Sequence, residues 1–385
     1  MSTNPLIELT KLGQSIWYDS IERKLITSGE LKRLIDQDGL SGVTSNPAIF
    51  EKAIAGSELY VDQLREVAEA GKTPQEIYET LAIRDIQTAA DVMAEVYERT
   101  GGKDGFVSLE CNPILANDAQ ATIEETRRLW RLVDRRNVMI KIPGTAEGIP
   151  AIEQGIYDGI NINITLLFSL HAYDQTMEAY IRGLERRAAE NKPIDNIASV
   201  ASFFVSRIDT AVDKELERRI DQTSDPEEKE KLQSLLGRIA IANAKLAYQR
   251  YKKIFHGNRF AAMKQKGAQL QRPLWASTST KNPVYPDVYY VEALMGPETI
   301  DTIPPATLTA FRDHGRPRVS IEDNLDEEKE ILARLEEVGI SLDQVTEHVL
   351  TEGVRLFVEP FKKLLKTIES RAAEIAGRSR TIVAK

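Results

Sequence analysis

The sequence predicts an α/β fold, a (β/α)8 barrel with extra helices between strands 6 and 7 and at the C-terminus. Three observations carry this. Short apolar runs alternate with helical stretches along almost all of the 385 residues, the pattern of repeated βα units and a parallel sheet. Eight such runs are found, near residues 15–19, 42–46, 106–111, 138–142, 160–165, 200–205, 274–277 and 299–303, and eight strands close a barrel. Within the runs one face is apolar, while the other turns polar toward the C-terminal end, as expected of strands covered outside by helices and opening into a cavity at one end.

In the first run Trp17 and Asp19 oppose Ile16 and Tyr18; in the second Thr44 and Asn46 oppose Val43. Thr73-Pro74-Gln75-Glu76 then supplies an N-cap, a proline at the first helical position and a glutamate placed to close a capping box. The helix it opens runs through Ala82, Ile86, Ala89, Met93 and Val96 to Gly101. In the third run Ser108 and Glu110 oppose Val107 and Leu109, and Asn117-Asp118 precedes a helix carrying Ile123, Leu129, Trp130 and Val133. In the fourth, Met139 and Lys141 oppose Val138, Ile140 and Ile142. In the fifth, Asn161, Asn163 and Thr165 oppose Ile160, Ile162 and Ile164, and in the sixth Ser202 and Phe204 share a face. The pattern is weakest in the first and last runs.

Residues 214–260 are charged and helical, broken at Ser224-Asp225-Pro226, and read as a solvated helical insertion. From about 325 to 376 the chain is helical again. Leu342, Val345, Val349, Val354, Phe357, Phe361, Leu364 and Ile368 form one apolar stripe, expected to pack outside the barrel or across one end, with a bend at Pro360. No linker marks a second domain, so residues 1–385 are expected to form a single one.

A net charge of −9, from 59 acidic and 50 basic residues, argues against a nucleic-acid or anionic-membrane partner. One cysteine, Cys111, excludes an intrachain disulfide, and four scattered histidines offer no metal-ligand spacing, so neither a metal nor another cofactor is expected. The N-terminus lacks a signal peptide and no apolar run is long enough to span a bilayer. A cytoplasmic protein is expected.

Lys141 lies in the apolar run Asn137-Val138-Met139-Ile140-Lys141-Ile142-Pro143. An ammonium there must be paired, lose its proton or snorkel from an edge strand. A deprotonated lysine is a nucleophile able to form a Schiff base with a carbonyl. Its neighbours in the barrel leave alternatives too: Asn46 is a turn residue before Pro47 or a cavity residue, Glu110 a loop cap or an acid, Asp19 an N-cap for a helix near Ser20 or an acid. Cys111 reads as a small buried residue. Strand parity brings Asp19, Asn46, Glu110, Lys141, Asn163, Thr165 and Ser202 to one cavity. A lysine beside two carboxylates there suits imine chemistry, in which the iminium is the electron sink.

The segments Thr44-Ser45-Asn46-Pro47, Val138-Met139-Ile140-Lys141-Ile142-Pro143, Asn161 to Ser169 and Ser202-Phe203-Phe204-Val205-Ser206-Arg207 together resemble the transaldolase family, in its longer bacterial branch. The resemblance runs from about Trp17 to the Glu352-Gly353-Val354-Arg355-Leu356-Phe357 helix. It implies a metal-independent (β/α)8 TIM-barrel transferase of the non-oxidative pentose phosphate pathway, moving a dihydroxyacetone unit from a ketose phosphate to an aldose phosphate. Lys141 matches the Schiff-base lysine, Glu110 and Asp19 the acid/base carboxylates, and Thr165 the residue holding the catalytic water. Thr44, Asn46, Asn163, Ser202 and Phe204 match substrate-binding positions, and Arg207 the phosphate-binding arginine. Shorter members carry Ser-x-Arg after the seventh strand; here the region reads Trp275-Ala276-Ser277-Thr278-Ser279-Thr280-Lys281. Ser277 and Lys281 are its candidates for the phosphate site, although lysine is a point charge where arginine binds two oxygens. The expected partners are small-molecule sugar phosphates, with neither nucleic acid nor membrane, and the protein is expected to be a monomer or homodimer. A lyase related to fructose 6-phosphate aldolase and a catalytically inert helical interaction protein are the alternatives.

Overall fold

A computed structural model describes residues 4–383, with side chains through residue 374. All eight expected runs form strands: β1 (Ser15–Tyr18), β2 (Leu40–Val43), β3 (Phe106–Glu110), β4 (Val138–Pro143), β5 (Ile162–Leu167), β6 (Ser199–Phe204), β7 (Arg272–Ala276) and β8 (Ile300–Ile303). Each is parallel to its neighbours, and β1 closes on β8 to complete the barrel.

The alternation read from sequence is explained by this closure. Val138, Ile140 and Ile142 are fully buried on the helix side, whereas Lys141 points inward. Register sets the chemistry at one height: Glu110 on β3 pairs with Lys141 on β4, and Lys141 with Asn163 on β5. The opposite end of the barrel is plugged by Trp17, whose ring lies where a side chain on Gly42 would be. A Cβ there would stand 2.4 Å from the indole, so only glycine fits. The Trp17 Nε1–H donates to Asp104 Oδ1 at 3.0 Å, and Arg272 donates to the same oxygen at 2.9 Å, closing that end with satisfied polar groups.

The connecting helices begin where their caps predict. The helix Pro74–Arg99 carries the expected capping box between Thr73 and Glu76, and Asp118 caps Ala119–Val133 by accepting from the Ala121 amide at 2.9 Å. Asp19 caps nothing. The next helix, Arg23–Thr27, has Glu22 at its N-cap position, which frees the Asp19 carboxylate for the barrel.

The charged stretch 214–260 differs from the reading of a solvated insertion. It belongs to helices Ser206–Gln222, Pro226–Gln233, Ile239–Phe255 and Asn258–Lys264, and the third is a packed element. Its Ala240, Ala242, Asn243, Ala244, Ala247 and Tyr251 are fully buried. Its small residues let it lie close to the rest of the molecule, and the charge of the flanking sequence concealed that face. Pro226–Gln233, with Leu232 as its one buried side chain, and Asn258–Lys264, with Phe260 as its one, fit the solvated description.

The C-terminal stripe lies on one helix, Leu342–Val383, which runs on through Pro360. It packs against the helix Pro47–Gly56 and against Ser206–Gln222, Pro74–Arg99 and β5. It therefore crosses the C-terminal end of the barrel, the second of the two placements expected. No helix among the described residues is long and apolar enough to cross a membrane.

Candidate active site

A cavity of about 270 Å³ opens at the C-terminal ends of the strands. Its wall includes Asp19, Thr44, Asn46, Lys141, Thr165, Ser202, Phe204, Arg207, Ser277 and Lys281. Of the residues expected there, only Glu110 and Asn163 stand behind the wall, and each acts on a residue in it.

Lys141 Nζ lies 2.9 Å from Glu110 Oε2, and the two side chains are only 6 % and 5 % exposed. Of the routes open to a lysine in this run, the fold takes pairing. The aligned hydrogen bond from Nζ goes to the Ser45 carbonyl at 3.0 Å, so the Glu110 contact is chiefly an ion pair. Burial raises the Glu110 carboxyl above its usual range, against the lowering pull of the Lys141 charge. Proton exchange between the two groups needs no movement of the backbone, since adjacent strands fix them in register.

Asp19 sits just past the end of β1. Thr44 Oγ1 donates to Asp19 Oδ1 at 2.8 Å and lies 2.6 Å from Thr302 Oγ1. Burial again raises the carboxyl, opposed first by Lys141 and then by the Thr44 hydrogen bond. Two carboxyls with elevated proton affinity thus flank one amine, an arrangement suited to moving protons near neutral pH.

Asn163 lies beneath the floor. Its Nδ2 donates to Ser108 Oγ at 2.9 Å and its Oδ1 accepts from Ser202 Oγ at 2.7 Å, so it orients Ser202, which does reach the cavity. Thr165 Oγ1 is buried and makes no hydrogen bond to the protein. Asn46 satisfies both of its readings: its Oδ1 caps the helix Pro47–Gly56 by accepting from Ile49 at 3.0 Å, and the residue lines the cavity.

The rim is cationic. Arg207, stacked on the Phe204 ring at 5.2 Å, has a buried Nη1 with no partner in the protein. Burial lowers its proton affinity, and Asp19 and Glu352 oppose that. Lys281 is lowered first by desolvation and then by the Arg207 charge, and its Nζ donates to Ser279 at 2.8 Å. Two repelling cations around a buried, unused donor are an arrangement suited to a multiply charged oxyanion. Ser277 ties this rim to the strands. It holds φ at +58°, and its carbonyl and hydroxyl meet the Ser206 amide and hydroxyl at 3.1 and 2.9 Å. A non-glycine residue held there is strained backbone at the edge of a site. No group of residues able to hold a metal ion occurs among the described residues.

The sequence reading missed Ser279, which lines the cavity beside Lys281, and three groups more. Thr302 obeys the same strand parity, but on the last and weakest run. Phe357 reaches the cavity from the C-terminal helix, where it read as one more packing residue. Asp301 faces away from the cavity, fully buried, with Oδ1 accepting from Thr278 at 2.9 Å and Oδ2 without a protein partner. Burial pushes its carboxyl up to about 8.

Residues 16–368 match the family model described as transaldolase/fructose-6-phosphate aldolase. A transaldolase of Trichodesmium erythraeum is 48% identical over 377 residues, 97% of this chain and 99% of the relative. Transaldolase 2 of a Nostoc species is 48% identical over 96% of this chain and 98% of its own length. The transaldolase of Frankia alni is 44% identical over 98% and 99%. The chain belongs to the transaldolase/fructose-6-phosphate aldolase family.

Proposed function

We infer that the protein is a transaldolase, a transferase that moves a dihydroxyacetone unit from sedoheptulose 7-phosphate or fructose 6-phosphate to glyceraldehyde 3-phosphate or erythrose 4-phosphate in the non-oxidative pentose phosphate pathway. One observation carries this reading: a buried lysine at a strand end contacts one carboxylate and shares an open cavity with a second.

In this mechanism Lys141 gives a proton to Glu110 and its free amine attacks the ketose carbonyl. The carbinolamine loses water with Glu110 as acid, through a water held by Thr165. Asp19 then takes the proton of the hydroxyl on the carbon that becomes the aldehyde, one end of the bond that breaks. The aldose phosphate leaves, and the electron pair remains on the three-carbon unit, delocalised into the iminium on Lys141. An incoming aldehyde accepts that pair, and the steps run in reverse. Thr44 orients Asp19, while Asn46, Ser202 and Phe204 hold the donor's hydroxyls and imine. Arg207, Ser277 and Lys281 bind the phosphate. The iminium is the electron sink, so the chemistry calls for no metal. The single buried thiol suits a cytoplasmic setting.

Transfer from fructose 6-phosphate to erythrose 4-phosphate is the test, with formation of sedoheptulose 7-phosphate expected at the same rate with and without a chelator. Multiple turnovers of free dihydroxyacetone in place of transfer would point to the lyase instead. Lys281→Ala is expected to raise the KM for phosphorylated donors roughly tenfold, about one charge-assisted contact, with little change for fructose. An equal loss on both would remove Lys281 from the phosphate site.

A further inference from the structure

The helix Leu342–Val383 is seated on the cavity as a fixed roof. At Gly353 it touches the machinery directly: an added Cβ would lie 3.1 Å from Leu166, which follows Thr165, and 3.3 Å from Arg207 Nη1. One turn on, on the same face, Phe357 enters the cavity wall, 6 % exposed, with its ring centre 5.8 Å from Lys141 Nζ. Two ties fix the roof to the helix Pro47–Gly56. Lys363 Nζ meets Glu51 at 2.8 Å, and Arg371 donates to the Ile54 carbonyl at 2.6 Å. Phe357 is thus an apolar wall held over the amine by a helix tied beyond it, at Lys363 and Arg371, to the helix Pro47–Gly56.

We propose that Phe357 is a specificity-determining residue that favours transfer over release by keeping bulk water, the proton source for release, from the carbanion carbon of the three-carbon unit on Lys141. This rests on the transaldolase reading. After the first aldose leaves, the covalent intermediate has two fates. In the productive one its carbanion carbon attacks an aldehyde. In the wasteful one that carbon takes a proton and water adds to the imine carbon. The carbon–nitrogen bond then breaks, dihydroxyacetone leaves and the amine is restored. Water supplies that proton, the hydroxide left is neutralised by the proton on Asp19, and the water that adds replaces the one imine formation released, so no other reactant is needed. Both fates end with water adding to an imine, so the ring acts on the step they do not share, the protonation, by excluding all but the water the site itself holds.

The test compares wild type, Phe357→Leu and Phe357→Ala by two readouts. Borohydride trapping with fructose 6-phosphate reports imine formation. The ratio of dihydroxyacetone release without acceptor to transfer with erythrose 4-phosphate reports partitioning. Trapping is expected in all three, with the ratio rising roughly tenfold or more in Phe357→Ala and less in Phe357→Leu. An unchanged ratio, or release and transfer falling in parallel, would overturn the proposal. If the alanine variant does not fold, the leucine variant decides by the same ratio. Absence of trapping in the wild type would instead overturn the transaldolase reading.

Discussion

Among the described residues two lysines are buried against glutamates, and locally the pairs are near twins. Lys141 meets Glu110 at 2.9 Å with 6 % and 5 % of the side chains exposed; Lys245 meets Glu328 at 2.7 Å with 7 % and 6 % exposed. Each ammonium also donates to a backbone carbonyl at 3.0 Å, Ser45 for one and Asp323 for the other. The difference lies in what else is present. Lys245 joins the helices Ile239–Phe255 and Leu325–Glu337, away from the cavity wall. Lys141 stands at a strand end that opens into the cavity, with Asp19 as a second acid and two cations at the rim. A buried, paired lysine is thus compatible with a purely structural role. Access for a carbonyl, and a second carboxyl to share the protons, make one a candidate nucleophile.

Replacing each lysine by methionine separates the two pairs by the widest margin. Lys141→Met is expected to lower transfer by about 10⁴-fold or more, the scale of losing a covalent nucleophile. Lys245→Met is expected to leave turnover per folded molecule unchanged while destabilising the fold by about 3–5 kcal/mol, because Glu328 stays buried without its partner. Denaturant unfolding and transfer kinetics on both variants check this. A Lys245→Met enzyme with normal stability and lost activity would erase the distinction between the pairs.

A smaller effect separates the cavity carboxyls from Asp301, buried one strand position away from Thr302. With its carboxyl pushed up to about 8 from an ordinary 3.8, Asp301 binds a proton in the folded state that it releases when unfolded at neutral pH. Stability from this group is therefore fully present below about pH 4 and lost as pH rises through about 8. Asp301→Asn is expected to flatten the fall in unfolding free energy across that window. Asp209, raised to about 7 by burial, keeps part of the slope in the variant. Identical slopes in wild type and variant would show that Asp301 does not carry this linkage.

How much was legible follows from how local each signal is. The strands were readable because helices cover one face of each, which keeps Ile140, Ile162 and their equivalents apolar. Lys141 stood out because a charge in such a run needs a reason. Asp19 and Asn46 were visible but ambiguous, since capping and cavity positions favour the same residue types; the start of the next helix at Arg23 resolves Asp19, and Asn46 does both jobs. Phe357 was not legible as a cavity residue, because an aromatic on a helical stripe looks the same over a core or over an active site. The burial of Ile239–Phe255 was hidden by the charges on either side of its small residues. Asp301 escaped because the alternation on its short strand is weak.

Reductive trapping addresses the central claim most directly. The protein is treated with borohydride in the presence of fructose 6-phosphate, digested, and its lysine-bearing peptides are weighed. A sugar-derived mass increase is expected on the peptide containing Lys141 and none on the peptide containing Lys245. An adduct on any other lysine, or none at all, would contradict it.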